Sequence, residues 1–237
     1  ICNEAALLAA RKNRDKVFME DFEESIERVF AGPEKKARSM SEKEREMIAY
    51  HESGHAVVAK MMEGSDPVHK ISIIPRGPAL GYTLQLPVED KYLTTKEDLS
   101  STLAILMGGR AAEMYFFSKQ TTGAQNDLAR ATKLATQMVC EFGMSGDLGS
   151  MAYEKSESEV FLGKDIGSRH MHSNETLQRI DSEVEKIIHE AYQTALRCMK
   201  KQEKKVRQLV ELLLEKEVVG AEEFHQLFAD VEENPES

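Results

Sequence analysis

Residues 47–60 read MIAYHESGHAVVAK, and the fold turns on how this stretch is taken. Upstream, Ser41 and Glu44 have the spacing of a capping box, which opens a helix. Met47, Ile48, His51, His55, Val58 and Met62 then share one face of that helix, and Gly64 marks its end. His51 and His55 stand at i and i+4, so both rings leave the same face one turn apart. Two imidazole nitrogens so placed reach one zinc ion at ~2.0–2.1 Å. Glu52 lies about 100° round the helix from His51. That is too far round for a third ligand, but well placed to touch a metal-held water. HESGH fits the pattern HExxH, whose glutamate is the general base of a metalloprotease. Gly54, lacking a side chain, is expected to leave room beside the metal. The competing reading is a pair of histidines satisfied inside a packed core. The zinc reading is preferred because the motif lies in a capped, amphipathic helix that continues into Ala56, Val57 and Val58.

A catalytic zinc needs a third protein ligand and an open position. Glu113, in GRAAEM, falls on an apolar helix and would be costly to bury unpaired. Asp127, in TTGAQNDL, lies just inside a helix start, where the dipole favours a carboxylate; a plain N-terminal helix acid is its ordinary explanation. His69 beside the first strand, and His170 and His172 in a loop, are further candidates. Spacing leaves the choice open.

Working outward, Asn3 to Lys16 and Met19 to Phe30 read as two short helices, followed by a linker-like AGPEKKARSMS. HKISIIPR and LGYTLQLP are β-rich, separated by GPA, and predict two strands of a small sheet. Thr94 and Glu97 form a second capping-box pattern ahead of a helix from about Thr95 to Phe117. Within it, the glycines of MGGRAAE permit close backbone approach. TTGAQNDLARATKLATQMVCEFG reads as another helix closed by Gly143. Met144 to His172 has the irregular composition of a long functional loop. Ser173 to Glu217 is helical with internal breaks, and the acidic tail DVEENPES is expected to be disordered. There are no internal repeats. The fold class is therefore mainly α with one small β-sheet.

The formal charge of −10 argues against a nucleic-acid partner, which requires a basic face. Cys2, Cys140 and Cys198 are too few and too scattered for a disulfide framework. No apolar run approaches the ~18 residues of a membrane span. The chain opens on Ile1 in mid-helix pattern, which reads as a fragment.

AYHESGHAVV, ISIIPRGPALGYTLQLP, LMGGRAAE, TTGAQNDLARAT and EFGMS, in this order, resemble the peptidase domain of FtsH-type proteases, which are membrane-anchored, ATP-dependent AAA+ zinc metalloproteases. The similarity runs from Ile1 to about Phe228. It implies a zinc ion held by His51, His55 and Asp127, one per chain, with Glu52 as the catalytic base and Glu113 supporting the ligands without binding the metal. It implies that residues 1–32 end an AAA+ helical lid, 33–40 link it to a peptidase domain at 41–229, and 230–237 form the tail. These residues hold no GxxxxGK[ST] loop, so ATP is expected to be used by the parent protein outside them. Further implications are unfolded protein substrates, a homo-hexamer, and a membrane-anchored parent with this domain on the cytoplasmic side, or in matrix or stroma if organellar. A non-catalytic assembly domain with structural or absent zinc, and a zinc hydrolase of smaller substrates, are the alternatives.

Overall fold

The computed structural model describes residues 1–33, 40–77, 79–88, 91–153 and 173–230. The central element is α3, Glu42–Met61, capped as expected: the Glu44 amide donates to Ser41 Oγ at 3.3 Å, and the Ser41 amide to Glu44 Oε2 at 3.0 Å. Its burial exceeds the expected single stripe. Every residue from Ala49 to Ala59 is buried, because the small side chains of this run admit neighbours from all sides. Those neighbours include β1 (Val68–Ser72), β2 (Tyr82–Gln85), α4 (Lys96–Phe117), α6 (Asn174–Lys201) and α7 (Glu203–Lys216).

The closest of these contacts is with α4. A Cβ on Gly54 would lie 2.4 Å from the carbonyl oxygen of Gly108, and one on Gly108 would lie 2.7 Å from the carbonyl oxygen of Gly54. The two helices thus touch backbone to backbone at this pair. Gly54 faces α4, which corrects the expectation that it opens space beside the metal. α4 begins one residue later than its first capping-box pattern indicated. Thr95 and Asp98 form the box, with the Asp98 amide donating to Thr95 Oγ1 at 3.1 Å and the Thr95 amide to Asp98 Oδ2 at 2.9 Å. Asp98 also pairs with Lys91 at 3.5 Å, a partner that the Thr94–Glu97 alternative does not share.

The sheet has the antiparallel order β2-β1-β3, with β3 at Val218–Gly220. Two strands were expected from the sequence; the third is too short to carry a pattern, and a left-handed Glu217 (φ 64°) delivers it directly from α7. Ile71 of β1 pairs with Thr83 on one side and Val219 on the other, so β1 is central and, among the described residues, β2 is an edge strand. α5, Gln125–Cys140, follows a single 3-10 turn at Thr122–Ala124. Gly143 turns the chain after it with φ 62°, and the Met144 amide reaches back to the Met138 carbonyl at 2.8 Å. The C-terminal helical region breaks at Gln202 between α6 and α7, and α8 (Ala221–Leu227) buries Phe224 against the core.

At the N-terminus, α1 (Cys2–Arg11) stops short of the expected Lys16, with Asn13 in the left-handed region at φ 53°. It packs on α2, Met19–Ala31. Their joint is the buried Asp21, which accepts from the Phe18 amide at 3.0 Å, Lys12 at 3.0 Å and Arg14 at 3.2 Å. These donors, the Phe18 amide foremost, hold the Asp21 carboxyl below its ordinary range. The buried Glu27 ties α2 to the sheet region through Lys70 and through Arg76 at 2.8 Å. Most of the expected linker, the part of the irregular stretch from 154 to 172 (with His170 and His172), and the tail from 231 to 237 lie outside the described residues.

Gly54→Ala is the most informative test of the helix crossing. Alanine is the better helix former, yet the added methyl forces α3 and α4 apart at an overpacking cost of roughly 1–3 kcal/mol. The expected result is a lower midpoint in denaturant titration; unchanged or higher stability would contradict the backbone contact.

Candidate metal centre

Tight crossing of α3 and α4 brings His51 and His55 beneath the residues that orient them. The His55 Nδ1–H donates to the Ile105 carbonyl of α4 at 2.7 Å. A carbonyl offers no proton, so in the neutral ring the hydrogen is on Nδ1 and Nε2 carries a lone pair. The His51 Nδ1–H donates to Glu113 Oε1 at 3.0 Å, with the same consequence. The two Nε2 atoms face each other at 3.1 Å. Asp127, in the first turn of α5, completes a triangle, its Oδ2 lying 3.4 Å from each Nε2.

Three lone-pair donors therefore converge on one point without a bridging proton among the neutral tautomers, which is a repulsive arrangement unless a cation sits there. Four tetrahedral ligands at zinc distances stand about 3.3–3.4 Å apart, close to the 3.1–3.4 Å found here. The donor set also suits zinc, as two imidazoles and one carboxylate. The electrostatics agree. Burial opposes a charge on His51, but hydrogen bonds with Asp127 and Glu113 outweigh it and push its pKa up to about 10. Burial likewise opposes ionisation of Asp127, and the two imidazoles outweigh it, holding the carboxyl well below its usual range. The cluster demands positive charge, which a metal ion supplies in place of the proton.

Room for the His51 ring comes from Gly109: a Cβ there would lie 2.4 Å from His51 Cε1. Glu113, only 1% exposed, has both oxygens occupied. Oε1 accepts from His51 and from Thr121 Oγ1 at 2.7 Å; Oε2 accepts from the Thr121 amide at 3.0 Å and Arg110 Nη1 at 3.1 Å. Against the penalty of burial, these donors keep it ionised, with its pKa lowered. Arg110 also donates to the Thr121 carbonyl at 2.9 Å, and Thr121 caps the 3-10 turn that leads into α5. One network thus aims His51 and sets the start of the element bearing Asp127.

Glu52 is buried on a different side of α3, towards β2, where the Thr83 hydroxyl lies 3.0 Å from its Oε2. Burial raises the Glu52 pKa, and the neighbouring histidines only partly offset this. Among the described residues, the group of potential metal donors comprises His51, His55 and Asp127; Glu52, Glu113 and His69 are outside it. Sequence reasoning missed Thr83, Thr121 and Arg110. Arg110 stands three residues before Glu113, a helical ion-pair spacing that offered a signal. The threonines offered none.

Comparison with known proteins gives a concordant result. The model of Peptidase family M41 matches residues 38–227. The chain is 53% identical over 228 residues, 96% of its length, to an ATP-dependent zinc metalloprotease FtsH of Pseudothermotoga lettingae. Relatives of the same name share 51% identity over 235 residues in Endomicrobium trichonymphae and 51% over 231 in Thermotoga maritima. The chain spans 36%, 37% and 38% of these three relatives' lengths. With the family match covering most of the sequence, the chain belongs to peptidase family M41.

Proposed function

We propose that this chain is the proteolytic part of an ATP-dependent protease, a zinc endopeptidase acting on unfolded or membrane-extracted polypeptides. The observation that carries the proposal is the convergence of His51 Nε2, His55 Nε2 and Asp127 Oδ2 on a single point beside a buried glutamate. Three protein donors among the described residues, rather than four, favour a catalytic over a structural zinc, because a position stays open. That is also the argument against a non-catalytic assembly domain.

His51, His55 and Asp127 hold the zinc in this reading, and Glu113 fixes the His51 ring through Nδ1 and raises its basicity. The chemistry a zinc ion held there would supply is that of a Lewis acid towards the scissile carbonyl and towards water. Glu52 does the proton work: it accepts a proton from the attacking water at its carboxylate and returns it to the leaving amine. Its raised pKa suits that duty, since a carboxylate of ordinary acidity is a poor base near neutrality. The free edge of β2 offers an extended substrate backbone a place to add as a further strand, and β1, paired on both sides, offers none.

In the same reading residues 1–32 end an AAA+ lid, 33–40 are a linker, 41–229 form the peptidase domain and 230–237 an acidic tail. The match beginning at residue 38, and the packing of α1 on α2, support this division. A homo-hexamer, an ATPase module and a membrane anchor belong to the full-length parent, with this domain on the cytoplasmic side, or in matrix or stroma if organellar. Among the described residues no helix is long and apolar enough to cross a membrane.

Metal content of the purified chain tests the ligand set. About one zinc per wild-type chain is expected, and Asp127→Ala should lose most of it; full retention would remove Asp127 from the set. Glu52→Gln should keep zinc while peptide hydrolysis falls by at least two orders of magnitude, and undiminished turnover would exclude Glu52 as the base. Glu113→Gln should weaken zinc binding by about 10–100-fold in a chelator competition. An unchanged affinity would reduce Glu113 to a packing role.

A further inference from the structure

We propose that Thr83 is the positioning residue of Glu52, its hydroxyl holding the carboxylate in the orientation from which it takes a proton. This rests on the reading of Glu52 as the base. Thr83 Oγ1 lies 3.0 Å from Glu52 Oε2 and 3.0 Å from the Glu52 main-chain oxygen. A hydroxyl has one proton and two lone pairs, so it donates to one of these acceptors at a time. While Glu52 is ionised, the proton goes to Oε2 as a charge-assisted bond. Once Glu52 has taken a proton from water, that hydrogen stays on the side of the carboxyl that faces the leaving amine, and the Thr83 hydroxyl continues to donate to Oε2 or turns to the main-chain oxygen. Thr83 gains and loses nothing.

A second contact, independent of the hydroxyl, confines the same carboxylate. Gly81 stands two residues before Thr83, on the same side of the extended chain. A Cβ on Gly81 would lie 2.9 Å from Glu52 Oε1 and 2.9 Å from Glu52 Cγ. The strand entry therefore closes on Oε1 while Thr83 holds Oε2. Glu113 is fixed by four donors and Asp127 by two imidazoles; the side-chain donor reaching Glu52, among the described residues, is Thr83 alone. Pairing of Thr83 with Ile71 on the central strand anchors that donor in the sheet.

The test compares Thr83→Val, which keeps the branched shape without the proton, and Thr83→Ser, which keeps the proton, in the zinc-loaded chain. Cleavage of an unstructured fluorogenic peptide is followed together with zinc content. The expected outcome is a kcat reduced about tenfold or more in Thr83→Val, with KM and zinc unchanged, and a kcat within about threefold of wild type in Thr83→Ser. Affinity for a peptide hydroxamate, measured calorimetrically at fixed zinc occupancy, gives a readout without turnover. Its proton must be received by Glu52, so binding should weaken about tenfold in Thr83→Val and not in Thr83→Ser. If Thr83→Val does not fold, Thr83→Ala takes its place with the same expectations. Wild-type kcat and hydroxamate affinity without the hydroxyl, or equal losses in Thr83→Ser, would overturn the positioning role. An inactive Glu52→Gln beside a fully active Thr83→Val overturns that role alone, whereas an active Glu52→Gln overturns the reading of the base itself.

Discussion

The backbone contact between Gly54 and Gly108 is the constraint on which the site depends. Side chains on ordinary helix pairs hold the axes 8–10 Å apart, but here neither helix carries a Cβ at the crossing. That closeness lets the Ile105 carbonyl reach His55 and the Glu113 carboxylate reach His51. Gly109, next along α4, clears the volume the His51 ring occupies. Three glycines thus replace packing area with proximity, and the neighbouring apolar residues of both helices restore the burial. Leu103, Leu106, Met107, Val57, Val58 and Met61 belong to the same core cluster.

Within this frame, the two buried carboxylates, Glu52 and Glu113, and the half-buried Asp127 are differentiated chiefly by their donors. Glu113 receives two hydrogen bonds at each oxygen and is held ionised despite almost complete burial. Asp127 faces two imidazoles and is held ionised more strongly, which suits a metal ligand. Glu52 has one neutral hydroxyl and a desolvated setting, so its pKa rises. The chemistry of each group follows from the number and charge of its donors. Residue type alone would not separate them.

β2 links the site to the rest of the molecule. Its Thr83 and the preceding Gly81 meet Glu52, while Tyr82 between them turns the other way, where burial and the Glu27 carboxylate of α2 push its phenol pKa up. Glu27 in turn holds Lys70 and Arg76. Alternation along one edge strand thus joins the Glu52 side of the site on one face to the N-terminal helical pair on the other.

Local signals in the sequence were enough for α1 to α5, for the helical character of the region that divides into α6 and α7, for the two longer strands and for the HExxH pair; the break at Gln202 and the short α8 were not placed. Capping boxes, periodicity and i,i+4 spacing act over a few residues, and Ser41, His51 and His55 behave as those rules require. The helix start at Thr95 instead of Thr94 shows the limit of such rules: the Thr95–Asp98 box that forms overlaps the Thr94–Glu97 pattern by one residue's shift. The short third strand carried no pattern of its own and exists because β1 has an edge to pair with. Spacing left the third donor open, and only the family resemblance pointed to Asp127 and to Glu113 as a support; their contacts with the histidines, the clearance Gly109 gives His51 and the meeting of Thr83 with Glu52 are matters of tertiary structure. Each depends on a contact between residues between 31 and 76 positions apart in sequence. Sequence alone determined which groups this chain can offer to a metal and to a proton. Which of them meet was decided by how closely α3 and α4 cross.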